Sequence, residues 1–128
     1  MSREGQKSGN KSLGEEGETI AAAYLQGQKH AIVERNFRCK CGEIDIIARD
    51  GKELVFVEVK TRRNALYGPP QLSVTPFKQR QISKAALTWL AQKKMENIPA
   101  RFDVVAILLG DHALPQIEHI KNAFDLAY

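Results

Sequence analysis

The sequence predicts an α/β domain in which a mixed sheet is flanked by helices, with elements in the order α-β-β-β-α-β-β. Three observations carry this reading. Residues 42–62, GEIDIIARDGKELVFVEVKTR, set two apolar runs, Ile44–Ala48 and Leu54–Val59, around a turn signal at Asp50-Gly51, the signature of a β-hairpin. Two segments carry apolar residues at helical spacing: Ile20, Ala21, Tyr24 and Leu25 before the hairpin, and Ile82, Ala85, Ala86, Trp89 and Leu90 after it. Near the end, FDVVAILL is a short, almost continuous apolar run that fits a strand buried on both faces.

A chain of 128 residues supports one domain with one core, and 43% hydrophobic with 27% charged residues is ordinary globular composition. No apolar run reaches membrane-spanning length, so no membrane partner is expected. The start, MSREGQKSGNKS, lacks the apolar core of a signal peptide, and the expected location is cytoplasmic. A net charge of +4 permits a polyanionic partner without demanding one.

Residues 1–12 are polar and basic and read as a disordered arm preceding a single domain, 13–128. The first helix is expected over Gly14–Gln26, closed by Gly27. Glu15 and Glu16 suit a first helical turn, where acids complement the dipole. Glu18 precedes Ala21 by three and Leu25 by seven, so it lies on the inward face. His30–Arg38 reads as a strand, with Arg35 and Asn36 in mid-strand or at a bulge. Both would line a substrate groove or bond to the neighbouring loop. Cys39 and Cys41 form a C-x-C, but a structural zinc site wants four ligands, and His30, His112 and His119 are scattered. Two reduced thiols are expected.

The hairpin is unusual because it carries Glu43, Asp45, Glu58 and Lys60 inside its strands. Buried charges are costly unless paired, hydrogen-bonded or bound to metal. Strict alternation puts Glu43, Asp45 and Ile47 on one face of the first strand, opposite Ile44, Ile46 and Ala48. On the second, Leu54, Phe56, Glu58 and Lys60 share a face, opposite Val55, Val57, Val59 and Thr61. A four-residue loop, Asp50–Glu53, sets Asp45 against Glu58 and Glu43 against Lys60. A two-residue Asp50-Gly51 turn sets Glu43 against Glu58. Either register gathers two or three carboxylates and one ammonium on one patch, with opposed Cβ atoms roughly 5 Å apart. Facing carboxylates need a proton or a cation between them. Mg²⁺ suits all-oxygen sites with one or two carboxylates, backbone carbonyls and waters. Asp45 and Glu58, with the Val59 carbonyl as a third donor, would hold it. Lys60 would orient or help deprotonate an attacking water, which fits metal-assisted phosphodiester hydrolysis. A solvated, salt-bridged face is the plainer alternative.

The connection Thr61–Thr75 is long for so small a domain, and long loops are often functional. Its Arg62 and Arg63 would stand near a scissile phosphate, which arginine can bind bidentately. Thr75-Pro76 starts a second helix running to about Lys94. Lys78, four residues before Ile82, extends its inward face towards the charged patch or a phosphate. Trp89 belongs to the core. After Pro99, Arg101–Leu109 is a buried strand whose Asp103 is expected to form a structural ion pair with Arg101 or a neighbour. Gly110-Asp111 turns, Gln116–Ile120 is a short edge strand, and Asn122–Leu126 is expected as a turn of helix.

Taken together, G-x-x-G-E-x-x-A-x-x-Y-L at Gly14–Leu25, Arg35-Asn36, GEIDIIA, VFVEVKTR, Lys78, RFDVV at Arg101–Val105 and NAF near the end resemble the YraN family of small bacterial proteins. The D-x(n)-E-x-K arrangement resembles the PD-(D/E)xK nucleases, although Ile44 stands where the superfamily's name has proline. The resemblance implies a restriction-endonuclease-like fold and a DNA endonuclease using Mg²⁺ or Mn²⁺. Asp45, Glu58 and Lys60 would be its catalytic residues, with Glu18 and Glu43 auxiliary and Arg35, Arg62, Arg63 and Lys78 on the DNA. Small stand-alone members include Holliday-junction resolvases, so the resemblance also implies branched DNA as substrate and a homodimer. The other class of function compatible with these residues is a non-catalytic nucleic-acid-binding or interaction module on a nuclease-like scaffold, since fold does not fix function.

Overall fold

The computed structural model describes residues 9–64, 73–110 and 114–127. Helix α1 (Gly9–Gly27) is followed by strands β1 (Ala31–Cys39), β2 (Gly42–Asp50) and β3 (Glu53–Arg62), helix α2 (Pro76–Lys93), and strands β4 (Ala100–Leu108) and β5 (Gln116–Phe124). The strands lie in one sheet in chain order. All neighbours are antiparallel except β3 and β4, which run parallel and are joined through α2. This is the mixed, helix-flanked α/β sheet expected, and it is consistent with a restriction-endonuclease-like fold.

Each face of the sheet is covered by one helix. Ala21, Ala22 and Leu25 of α1 pack on Ile46, Ala48, Val55, Val57, Val105 and Ile107. Ile82, Ala85, Ala86, Trp89 and Leu90 of α2 pack on Phe37, Ile47, Leu54, Phe56, Phe102 and Val104. Trp89 is buried, as expected of a core residue, and its indole N–H donates to Glu34 Oε1 at 2.8 Å. On β3 the alternation is unbroken: Leu54 and Phe56 face α2, and Val55 and Val57 face α1.

The element ends differ from expectation in instructive ways. Helix α1 begins at Gly9, earlier than Gly14, because apolar periodicity marks only the packed part of a helix, whereas backbone hydrogen bonds continue through polar residues. Residues 1–8 of the expected arm lie outside the described residues. Gly27 ends α1, but the left-handed turn falls at Lys29 (φ 70°), where His30 N–H returns to Leu25 O at 2.9 Å. Helix α2 has the expected cap: Thr75 Oγ1 accepts from Lys78 N–H at 3.2 Å, ahead of Pro76 at the first helical position. Residues 65–72 of the long connection and 111–113 at the Gly110-Asp111 turn lie outside the described residues. The helical turn expected over Asn122–Leu126 is instead the end of β5. Phe124 stacks on Phe102 with ring centroids 4.9 Å apart, which holds the strand in register. Beyond it, Ala127 N–H donates to the buried Ser83 Oγ at 2.9 Å.

At the end of the sheet bearing the β2–β3 turn, Arg101 pairs with Asp103 at 3.0 Å, as expected, and also with Glu53 at 2.8 Å and Asp50 at 3.1 Å. Asp103 is fully buried, and it also bonds His119 Nε2 at 2.7 Å and accepts from Asn122 N–H at 2.9 Å. Tyr24 of α1 reaches the other nitrogen of His119 at 3.2 Å. This network ties α1, β4 and β5 together.

Candidate active site

The candidate site starts from a paired distortion of β1 and β2. Asn36 adopts φ 57°, a left-handed conformation that asparagine tolerates better than most residues. Around it β1 loses its alternation: Glu34 and Phe37, three apart, both reach the α2 side, where Glu34 meets Trp89 and Phe37 joins the core. Opposite, Arg35 pairs with Ile46 and Phe37 with Ile44, leaving Asp45 facing Asn36. Strand β2 is broken in the same way. Ile44 and Ile47 both pack on the α2 side, whereas Ile46 and Ala48 pack on the α1 side. The strict alternation expected for this strand therefore fails at Asp45.

The β2–β3 register is that of the four-residue alternative, with Arg49 opposite Leu54. The additional pair Asp50↔Glu53 shortens the loop to Gly51-Lys52, with Gly51 at φ 64°. Backbone pairing runs from that turn to Ile46↔Val57. Beyond it, Val59 N–H donates to Asp45 Oδ2 at 2.8 Å.

Asp45 therefore sits at an opening between two strands, and its surroundings are negative. Burial pushes its carboxyl up, and the charge of Glu58 pushes it further. The Val59 N–H pulls it back, and Glu18 and Glu43 raise it again, so that it stands at about 7. A carboxyl in this position takes a proton or a cation. The four acids singled out in the sequence thus act on one another through Asp45.

They do not share one face, however. Asp45 lines a cavity of about 280 Å³ on the α1 side with Leu13, Gly14, Glu18, Val59 and Thr61. Glu58 and Lys60 belong to the α2-facing series of β3. The expectation of a single patch is corrected to a site spanning the strand opening, because β2 changes face at Asp45 and β3 does not. Glu58 is nearly buried, and its Oε2 lies 3.4 Å from Lys60 Nζ and 3.8 Å from Lys78 Nζ. Lys78 reaches inward from the first turn of α2.

The outer acids have cationic partners. Arg35 Nη2 is 3.6 Å from Glu18 Oε1, and Arg38 Nε is 3.1 Å from Glu43 Oε1. Arg35 thus meets α1 rather than a loop. Arg62 ends β3, where its carbonyl accepts from Leu109 N–H at 2.8 Å, and Arg63 is exposed just beyond. Glycine at position 17 is required by the approach of α1: a Cβ there would collide with Thr61 Oγ1, and this contact sets Glu18 beside Asp45.

Among the described residues, no three His, Cys, Asp or Glu side chains form a metal cluster. The donor set is two carboxylates, Asp45 and Glu58, with the Val59 backbone. Such all-oxygen ligation fits a hard cation that keeps several waters. It does not fit zinc. Cys39 and Cys41 are free thiols, half-buried and exposed respectively, at the β1–β2 turn.

Asn36 was expected with Arg35 at a groove or bulge, but Thr61, Gly17 and Arg38 were not distinguished as site-shaping residues in the sequence. Asn36 alone carried a local signal, as asparagine within an apolar strand. The other three matter through contacts between distant segments.

A family model described as "Uncharacterised protein family UPF0102" matches residues 17–107, a span containing Glu18, Glu43, Asp45, Glu58, Lys60 and Lys78. The chain is 78% identical over 119 residues to a UPF0102 protein of Geotalea uraniireducens, covering 93% of this chain and 94% of the relative. It is 66% identical over 119 residues to one of Geobacter sulfurreducens, covering 93% of each. To one of Rhodococcus opacus it is 49% identical over 115 residues, covering 90% of this chain and 98% of the relative.

Proposed function

The chain belongs to the UPF0102 family, and we propose that it is a metal-dependent endonuclease hydrolysing phosphodiester bonds in DNA. The observation that supports this best is the Asp45 carboxyl, half-buried at the strand opening and held near pH 7 by its burial and three acids, beside a carboxylate that carries two ammoniums. A structural ion-pair network balances its charges locally, whereas the charges acting most strongly on Asp45 are all negative. Asp45, Glu58 and the Val59 carbonyl would hold Mg²⁺ or Mn²⁺. The cation would supply Lewis acidity towards a phosphoryl oxygen and neutralise the paired carboxylates. Lys60 orients the attacking water and stabilises charge developing on the phosphate. Glu18 keeps the α1-side cavity polar, and Arg62, Arg63, Lys78 and Arg35 supply charge for the DNA backbone. The substrate we propose is branched DNA, cut by a homodimer. Both of these rest on the resemblance of the sequence to small junction-resolving nucleases.

A second reading has its own support. Asp45 Oδ2 is already engaged by Val59 N–H, and Asp45 and Glu58 arise from differently facing positions. A binding module on the same scaffold would keep that closed arrangement. The deciding experiment incubates wild type, Asp45→Ala and Lys60→Ala with labelled four-way junction, flap and linear duplex DNA, with Mg²⁺, Mn²⁺ or EDTA. Cleavage by wild type with metal, lost in both variants, is expected. Absence of cleavage would leave the binding module, and equal cleavage by the variants would remove Asp45 and Lys60 from catalysis.

A further inference from the structure

On the α2 side the site continues into a second cavity of about 280 Å³, lined by Arg38, Cys39, Gly42, Glu43, Lys78, Gln81 and Ile82. It lies between the β1–β2 turn and the first turns of α2. We propose that this cavity is an anion subsite that seats a second phosphodiester of the bound DNA, held by Arg38 and Lys78 with the Gln81 amide as a neutral donor. This assignment rests on the DNA reading above and adds a place where the strand is gripped away from the reacting bond.

Three observations lead to it. The first is rigidity. Gly42 has φ 155°, and a Cβ there would lie 3.2 Å from both Gln81 Cβ and the Gln81 carbonyl, so the turn is seated directly on α2 and the cavity wall is fixed. The second is charge. Arg38, Lys60 and Lys78 stand around two carboxylates, Glu43 and Glu58, so positive charge is in excess on this side of the opening. The α1-side cavity is the reverse, with Glu18 and Asp45 as its charged lining. The first turn of α2 holds no acid, so its dipole adds to the excess. The third is availability. The Arg38 side chain is 77% exposed and meets Glu43 through Nε, and a guanidinium has five N–H donors in a fork suited to phosphate. Lys78 lies 3.8 Å from Glu58, beyond hydrogen-bond distance, and its side chain is 35% exposed, so its ammonium has N–H donors to give an anion.

The site therefore divides the work by sign. The opening between Asp45 and Glu58 takes the cation, and the basic cavity takes the phosphate of a neighbouring nucleotide. Lys78 belongs to both, because it contacts Glu58 and lines the anion cavity.

The test is binding of fluorescein-labelled four-way junction and linear duplex by the full chain in EDTA, where no cutting occurs, at several NaCl concentrations. Each phosphate contact contributes about 0.9 to the slope of log K against log salt. Arg38→Ala and Lys78→Ala are each expected to weaken binding roughly 3- to 10-fold and to lower the slope by about one, with Arg38→Lys and Lys78→Arg restoring it. Gln81→Ala should weaken binding with no change of slope. Lys84→Ala, on the exposed side of α2, serves as the control and should match wild type. Thermal melts followed by circular dichroism confirm that each variant is folded. Wild-type slopes in folded Arg38→Ala and Lys78→Ala overturn the subsite even if the protein cuts DNA. Reduced slopes in a protein that never cuts DNA with Mg²⁺ or Mn²⁺ sustain the subsite and overturn the nuclease. Failure of wild type to bind either DNA at low salt overturns both.

Discussion

The backbone N–H of Val59 donates to the Asp45 carboxylate at 2.8 Å, where the pairing of β2 with β3 has ended at Ile46↔Val57. A side chain has taken over a backbone amide where the two strands part. It does so despite the charge of Glu58 close by, which raises the Asp45 carboxyl together with burial, Glu18 and Glu43. This contact makes the opening measurable by pH, by metal and by substitution.

The Asp45 carboxyl stands near 7 in the folded protein and near 3.8 in the unfolded chain. Between those values the folded state holds a proton that the unfolded state releases, so this group makes stability fall as pH rises from about 4 to about 7, with no further loss above. Asp45→Asn removes that slope. It should unfold at higher urea than wild type at pH 8, by on the order of 2 kcal/mol, and near-equally at pH 4. Millimolar Mg²⁺ at pH 8 should raise the wild-type melting temperature and leave Asp45→Asn unchanged. Parallel pH dependence in the two proteins would show that Asp45 is not the group under strain.

Gly17→Ala drives a methyl into Thr61 and must push α1 away from β3. A cost of about 1–3 kcal/mol in urea unfolding is expected from such overpacking. Thr61→Ala should recover only part of it, because the Thr61 Cβ itself would lie 2.9 Å from the new carbon. The displacement also carries Glu18 away from Asp45, so the pH slope assigned to Asp45 should become shallower in Gly17→Ala.

Asp103 behaves oppositely to Asp45. Burial raises its carboxyl, but hydrogen bonds from His119, Arg101 and the Asn122 backbone outweigh it and hold the group below the ordinary carboxylate range. Its stabilisation is present above about pH 4 and is lost as pH falls further. Asp103→Ala leaves Arg101 without its buried partner and should cost about 3–5 kcal/mol at pH 7. The variant should still bind DNA at a temperature where it is folded, since this network lies at the turn end of the sheet. Loss of DNA binding in the folded variant would tie the network to function.

Asn36 supplies the left-handed step that turns β1 and β2 at the site. Asn36→Val should destabilise by about 1–2 kcal/mol, since a β-branched residue disfavours that conformation, whereas Asn36→Gly should lie within about 1 kcal/mol of wild type. Equal costs for the two would show that the side chain, not the backbone, is what matters there.

The element order, the α2 cap and the apolar faces of β3 and α2 were readable because each follows from local pattern: period two, period 3.6 or a capping pair. The turn signal left two hairpin registers open, and the structure takes the one with Arg49 opposite Leu54. Asp45, Glu58 and Lys60 stood out because charge inside an apolar strand is expensive. The face change at Asp45 was not readable, since alternation assumes an unbroken strand and the break is set by a left-handed residue on the neighbouring one. The Arg35–Glu18 contact, the seam between Gly42 and Gln81 and the Tyr24–His119–Asp103 chain were hidden for another reason. Each joins residues far apart in sequence, and no local pattern records which segments meet.

The parallel pairing of β3 with β4 has a consequence for the chain as it is made. Strands β1 to β3 are contiguous and can zip as they leave the ribosome, but the open side of β3 waits for residues from Ala100 onward. Until then Leu54–Val57, fully enclosed in the finished protein, lacks its lateral partner. Docking of the C-terminal third is therefore the late and vulnerable event in biogenesis, and C-terminal truncations should aggregate rather than yield a smaller folded unit.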